Sequence, residues 1–130
     1  MSMNLPGGEK TTDFVIKKTL TSPEAVSLLI ETFPWLPNAV GEELDPAESH
    51  YVYARFADEI QRRQNDESFL RQACDFVSHL AEVHDSFLTD ILVTSFFESV
   101  AYDRTLATRM KPCLSPTAND LLEAVERHLL

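Results

Sequence analysis

Histidine beside carboxylate is a side-chain pairing able to bind a metal or move a proton, and this sequence crowds His79, Glu82, His84 and Asp85 into one short stretch. The spacing works against either use. On a helix His79 and Glu82 share a face at i and i+3, whereas His84 lies five residues beyond His79 and points elsewhere. The zinc-protease pattern HExxH is absent, as is the Glu-x-x-His pattern that di-iron bundles repeat on two helices. The stretch reads as a solvated polar face beside a helix turn. Asp75 and His79, at i and i+4, form at most a surface ion pair worth roughly a few tenths of a kcal/mol when the imidazole is protonated.

Thiol and phosphate chemistry have no better support. Cys74 and Cys113 are the only cysteines, they fall in separate elements, and neither belongs to a CxxC or other ligand spacing. Buried reduced thiols are the expectation and a structural disulfide the alternative. A Gly-rich phosphate loop and a GxSxG elbow are both missing, and no base is placed beside Cys74 by the sequence. The expectation is a protein that is not an enzyme and holds no metal or other cofactor.

Charge is the more informative property. Eleven Lys and Arg stand against twenty-one Asp and Glu, a formal net charge of -10, which repels phosphate backbones and anionic lipid head groups alike. Nucleic acid and membrane are therefore excluded as expected partners, and a basic protein surface is favoured, because opposite fields steer encounter. Glu42, Glu43, Asp45 and Glu48 place four carboxylates within seven residues, between Trp35 and Tyr51. Acid flanked by aromatics suits a protein-binding surface for a basic target, and the alternative is a solvated loop. The candidate partner-binding residues are accordingly Trp35, Glu42, Glu43, Asp45, Glu48 and Tyr51. A lone tryptophan between Pro34 and Pro37 more often packs down on a core than stands out as an anchor. Phe69, Phe76, Phe87, Phe96 and Phe97 follow buried helix faces and read as core.

Those residues need helices to hold them. The chain of 130 residues is 44% apolar and 25% charged, ordinary globular usage for one domain that needs no disulfide or metal staple. Residues 1–12 read as a mobile tail and 13–130 as a single helical domain, with 13–20 either a short helix or an extended arm. Ser22-Pro23-Glu24 is a helix start, with Val26, Leu29, Ile30 and Phe33 following at helical spacing. A short helix is expected between Asn38 and Leu44. Another opens at Tyr51 or Val52 and buries Val52, Tyr53, Phe56, Ala57 and Ile60, leaving Arg55, Glu59, Arg62 and Arg63 to solvent. Asp66 caps a long helix that turns near His84 and Asp85. The next helix, about 86–101, is apolar or small around nearly its whole circumference and should be central. Asp103 and Ser115-Pro116 start two more, the last with Leu121, Leu122, Val125 and Leu129 as its apolar edge. The fold class is all-α, an irregular helical bundle or small stack of helical hairpins around that central helix. The first twenty residues lack a secretion signal and no apolar run nears membrane-spanning length, so the expected location is the cytoplasm.

Phe33-Pro34-Trp35-Leu36 closing an early helix, then Phe76-Val77-x-x-Leu80-Ala81-Glu82, Asp85 and Phe96-Phe97-Glu98, resemble small acidic all-helical bacterial immunity proteins of polymorphic toxin systems. The resemblance spans Ser22 to Val100 and rests on structural motifs, so no functional residue is carried over from it. It implies a protein that covers or plugs a cognate toxin, a basic toxin domain acting inside the cell. The alternative role is a helical adaptor or scaffold subunit. Oligomeric state is left open by the sequence.

Overall fold

In the computed structural model, which describes residues 19–129, the first helix, α1 (Ser22–Thr32), is started by Thr21 and not by Ser22. Thr21 accepts the Glu24 N–H while the Glu24 carboxylate takes the Thr21 N–H, so two orphan donors are satisfied reciprocally. Pro23 sits in the first turn, where its missing N–H is not needed. Ser22 is thereby free for a different contact. Its hydroxyl donates to the Pro46 carbonyl at 2.7 Å and accepts the Ser49 N–H at 3.3 Å, tying the start of α1 to the loop before the third helix. The tail expected over residues 1–12, and the arm or helix expected from residue 13, lie outside the described residues up to residue 18.

The second helix, α2 (Leu36–Val40), begins and ends earlier than the expected Asn38–Leu44 because Gly41 stops it in the left-handed region at φ 75°, where an L side chain costs about 1–2 kcal/mol. The third, α3 (Ser49–Arg62), opens before Tyr51 and buries the expected stripe of Val52, Tyr53, Phe56, Ala57 and Ile60. One expectation fails on it: Glu59, assigned to solvent, is 1% exposed. Its carboxylate accepts from Arg62 at 2.6 Å and Arg63 at 2.5 Å. The two guanidiniums fold back over it from the last turn, which is how a carboxylate can enter a core at all. Asp66 caps α4 (Glu67–Val83) through the Phe69 N–H, His84 ends it at φ 58°, and Asp85 caps the helix after it.

That helix is the expected central one, with a difference. Ser86–Ile91 (α5) and Phe97–Tyr102 (α6) are α-helical, but Leu92–Phe96 between them is a π-helical turn, marked by the Phe97 N–H bonding to the Leu92 carbonyl. The apolar pairs explain it. Ile91-Leu92 and Phe96-Phe97 are both fully buried and five residues apart, a step that would rotate off the buried face of a regular α-helix with 3.6 residues per turn. A turn closed by an i to i+5 bond absorbs the extra residue and keeps both pairs inward.

Asp103 caps α7 (Arg104–Met110) through the Leu106 N–H. Desolvation works against its charge, but the Leu106 amide, the Gln61 and Gln64 side chains and the Thr105 amide together hold its carboxyl below the usual carboxylate range. A 3₁₀ turn, Lys111–Cys113, leads to α8 (Pro116–Leu129). There Ser115 caps the Ala118 N–H as expected. Ala118, Leu122 and Val125 are buried on α8, but Leu129, assigned to its apolar edge, is 36% exposed at the helix end. The described residues form an all-α bundle in which the run 86–102 packs against α3, α4 and α8. An aromatic series runs through its core: Phe33 to Phe56 at 5.1 Å, Phe56 to Phe96 at 5.7 Å and Phe96 to Phe97 at 5.2 Å between ring centroids. No helix among the described residues is long and apolar enough to cross a membrane.

Candidate functional site

The acidic segment is an ordered ledge. Gly41 turns the chain out of α2, Leu44 is buried at 8% exposure and anchors the middle, and the Asp45 side chain accepts the Ala47 N–H at 2.9 Å to close a turn. Ser22 grips the far end through Pro46 and Ser49. Glu42 is drawn onto α3, where the Tyr51 hydroxyl donates to both of its oxygens at 3.0 Å and Arg55 Nε bonds it at 3.2 Å. Arg55 also pairs with Asp58 at 3.1 Å and reaches the Val40 carbonyl. The hydrogen bond to Glu42, followed by desolvation and the Glu42 charge, raises the Tyr51 phenol above its ordinary range. Glu43, Asp45 and Glu48 are exposed, and none of them pairs with a cation among the described residues. Tyr51 stands 47% exposed beside them.

Trp35 does not join this group. It is half-buried, packed edge-on against Phe33 and Phe69 at 5.9 and 5.4 Å, with the Arg63 guanidinium 4.5 Å above its ring. Arg63 and Tyr51 lie at opposite ends of α3, about 18 Å apart along its axis at 1.5 Å per residue. The six candidate residues thus divide into a ledge of five and a tryptophan committed to the other end.

A constellation that the sequence does not reveal lies next to the ledge. His50 Nδ1 is 2.6 Å from the Ser95 hydroxyl and 3.3 Å from that of Thr94, while Nε2 is 3.4 Å from the Asp90 carboxylate. Hydroxyl, imidazole and carboxylate in series is the order of a nucleophile relay. A relay also needs an accessible hydroxyl and preorganised oxyanion donors. Ser95 is 9% exposed and sits inside the π turn. None of four surface depressions on the bundle is lined by His50 or Ser95. The contacts pin the first turn of α3, and with it the root of the ledge, to the central helix. Residues some 45 positions apart carry no sequence signal for this; the only pointer was the five-residue step that makes the π turn.

The stretch His79 to Asp85 resolves into helix-end chemistry. His79 Nδ1 lies 2.8 Å from the Asp75 main-chain oxygen, so the ring contacts the carbonyl and not the carboxylate expected from their spacing. His84 is the left-handed stop of α4, and Asp85 accepts the amides of Phe87, Leu88 and Leu20. Among the described residues no three His, Cys, Asp or Glu side chains are grouped to hold a metal ion. Tyr102, which no motif or spacing singles out, is 74% exposed at the end of α6.

Set against family models, curated proteins and solved structures, the chain finds no match.

Proposed function

We propose that the chain is an immunity protein, which neutralises a cognate bacterial toxin by direct contact between its acidic ledge and a basic surface of the toxin domain. The observation that carries this reading is the ledge itself. Glu43, Asp45 and Glu48 project, with no counter-cation among the described residues, from a backbone held at Gly41, Leu44, Asp45 and Ser22. Concentrated like charge destabilises a compact state unless a partner offsets it. A surface ordered in advance loses little conformational entropy on docking, and a half-exposed tyrosine at its edge is the residue type enriched in interface centres. The net charge of -10 extends the same attraction over the whole molecule.

The test is co-expression with the toxin encoded by the adjacent reading frame, followed by association kinetics on the purified pair. Rescue of growth and a one-to-one complex are expected. Changing Glu43 and Glu48 together to Lys, with Glu42 kept because it holds Tyr51 and Arg55 and Asp45 kept because it closes the turn on Ala47, should slow association by roughly 10-fold at low salt with little change in the thermal melt. An unchanged association rate and salt dependence would remove the ledge from the interface. Absence of rescue, with several endogenous proteins recovered on the chain, would favour the helical adaptor instead.

A further inference from the structure

The two cysteines, placed far apart by the sequence, meet at one corner of the bundle. Cys74, on α4, is fully buried, and Cys113, on the 3₁₀ turn, is partly exposed; both are free thiols. The 3₁₀ turn packs on α4. Cys74 Sγ lies 3.7 Å from the Met110 carbonyl oxygen and Cys113 Sγ 3.9 Å from that of Arg109, so both sulfurs converge on consecutive carbonyls at the end of α7. Burial first, and then the adjacent Cys113 thiol, raise the Cys74 thiol above the ordinary cysteine range. A thiol so protected is inert towards bulk reagents. Its accessible chemistry is with the sulfur beside it.

We propose that Cys74 and Cys113 are a site of reversible oxidative modification, closing to an intramolecular disulfide by exchange with a low-molecular-weight disulfide. Cys113, the solvent-facing member, loses its proton and attacks one sulfur of the small disulfide RSSR. The RS–SR bond breaks, a Cys113–S–S–R bond forms, and the departing RS⁻ takes up a proton to become RSH. Cys74 then gives up its proton and attacks Cys113 Sγ, and the second RS⁻ leaves and is protonated. Two thiols and RSSR become one protein disulfide and two RSH, with two electrons passing from the cysteines to RSSR. Proximity drives the second step, since the buried thiol is a poor thiolate and succeeds only because its target is held at the same helix end. The bond ties the corner between α7 and α8 to α4 and closes the chain between them into a covalent loop, which restricts the unfolded state.

The experiment uses the full reduced chain and oxidised glutathione as the probe, with intact mass and alkylation of remaining thiols after denaturation as readouts. Both thiols should disappear together, the mass should fall by two hydrogens with no glutathione retained, a peptide joining residues 74 and 113 should be found, and dithiothreitol should restore the starting mass. The oxidised chain should keep the helical circular dichroism of the reduced one and melt at a higher temperature. Cys74→Ala should stop at a glutathione adduct on Cys113, and Cys113→Ser should leave Cys74 unmodified in the folded protein. A wild-type chain that stops at the Cys113 adduct with Cys74 free overturns the proposal. So does one that keeps both thiols, links two chains, or forms the bond only with loss of the helical spectrum.

Discussion

Each end of α3 sets arginine against glutamate, and the two arrangements behave differently. At the first turns Glu42 and Arg55 meet at 3.2 Å with 38% and 28% of their side chains exposed, and Asp58 and Tyr51 share the contact. At the last turn Glu59 is 1% exposed under Arg62 and Arg63, whose own side chains are 68% and 41% exposed. Exposed pairs gain modest Coulomb energy, are screened by salt and lose side-chain freedom. A buried carboxylate without a partner retains its full desolvation penalty. The burial of the acid, more than the number of contacts, decides what each cluster contributes. One cluster leaves its acid open to solvent and the other closes the core beneath Trp35.

Four changes break or sharpen that contrast. Between the two ends, Phe56 touches Phe33, Phe76 and Phe96 and is fully buried. Phe56→Ala should therefore lose about 3–5 kcal/mol in urea unfolding through lost burial and a cavity. The double change Arg62→Ala with Arg63→Ala should cost about 3 kcal/mol, the low end of the range for stranding a buried charge, because Glu59 can turn partly towards water. A loss below about 1 kcal/mol would show that the two ends are alike.

Tyr53, on the buried face of α3, tests the helix by pH. Burial pushes its phenol well above the ordinary tyrosine range, and its hydroxyl donates to the Ala25 carbonyl at 2.8 Å. A raised folded pKa means that the contribution is intact below the unfolded value of about 10 and is lost as pH rises through the folded one. Stability should fall in wild type above about pH 10. Tyr53→Phe should lose about 1 kcal/mol at neutral pH, for the missing hydrogen bond, and be less sensitive to alkali. Equal alkaline loss in both chains would assign the effect to other groups. Smallest of all, Arg55→Ala should change stability by less than about 1 kcal/mol, and that difference should shrink further as salt is added. A melt as damaged as that of the Arg62 and Arg63 double variant would erase the distinction between the ends.

Much of the architecture is legible because its signals are local. Asp66, Asp103 and Ser115 cap helices where their types and spacing say they should, and the stripe on α3 is buried as its period requires. A cap or a stripe is decided within four residues of itself. Where two local signals compete, reciprocity arbitrates: Thr21 takes the cap that Ser22 equally suits, because Glu24 completes the reciprocal pair with Thr21 alone. The ledge was legible as a run of acid next to Tyr51, but its order was not, since Leu44, Ser22 and Arg55 hold it from three different elements. Trp35 was grouped with it by nearness in sequence, and the antiparallel course of α2 and α3 carries it to the far end.

By itself, then, the sequence determined the helical class, most helix starts and stops, the buried faces and the acidic charge, all of which arise from residue type and from periods a few residues long. Tertiary structure alone decided that Glu59 goes inside, that His50 meets Ser95 and Asp90, that Cys74 and Cys113 come together at the end of α7, and that Tyr51 stays with the ledge while Trp35 leaves it. The reason is physical. Each of these pairings depends on the rotation and offset of one helix against another, which the packing of Phe33, Phe56 and Phe96 sets collectively, and no window along the chain contains that information.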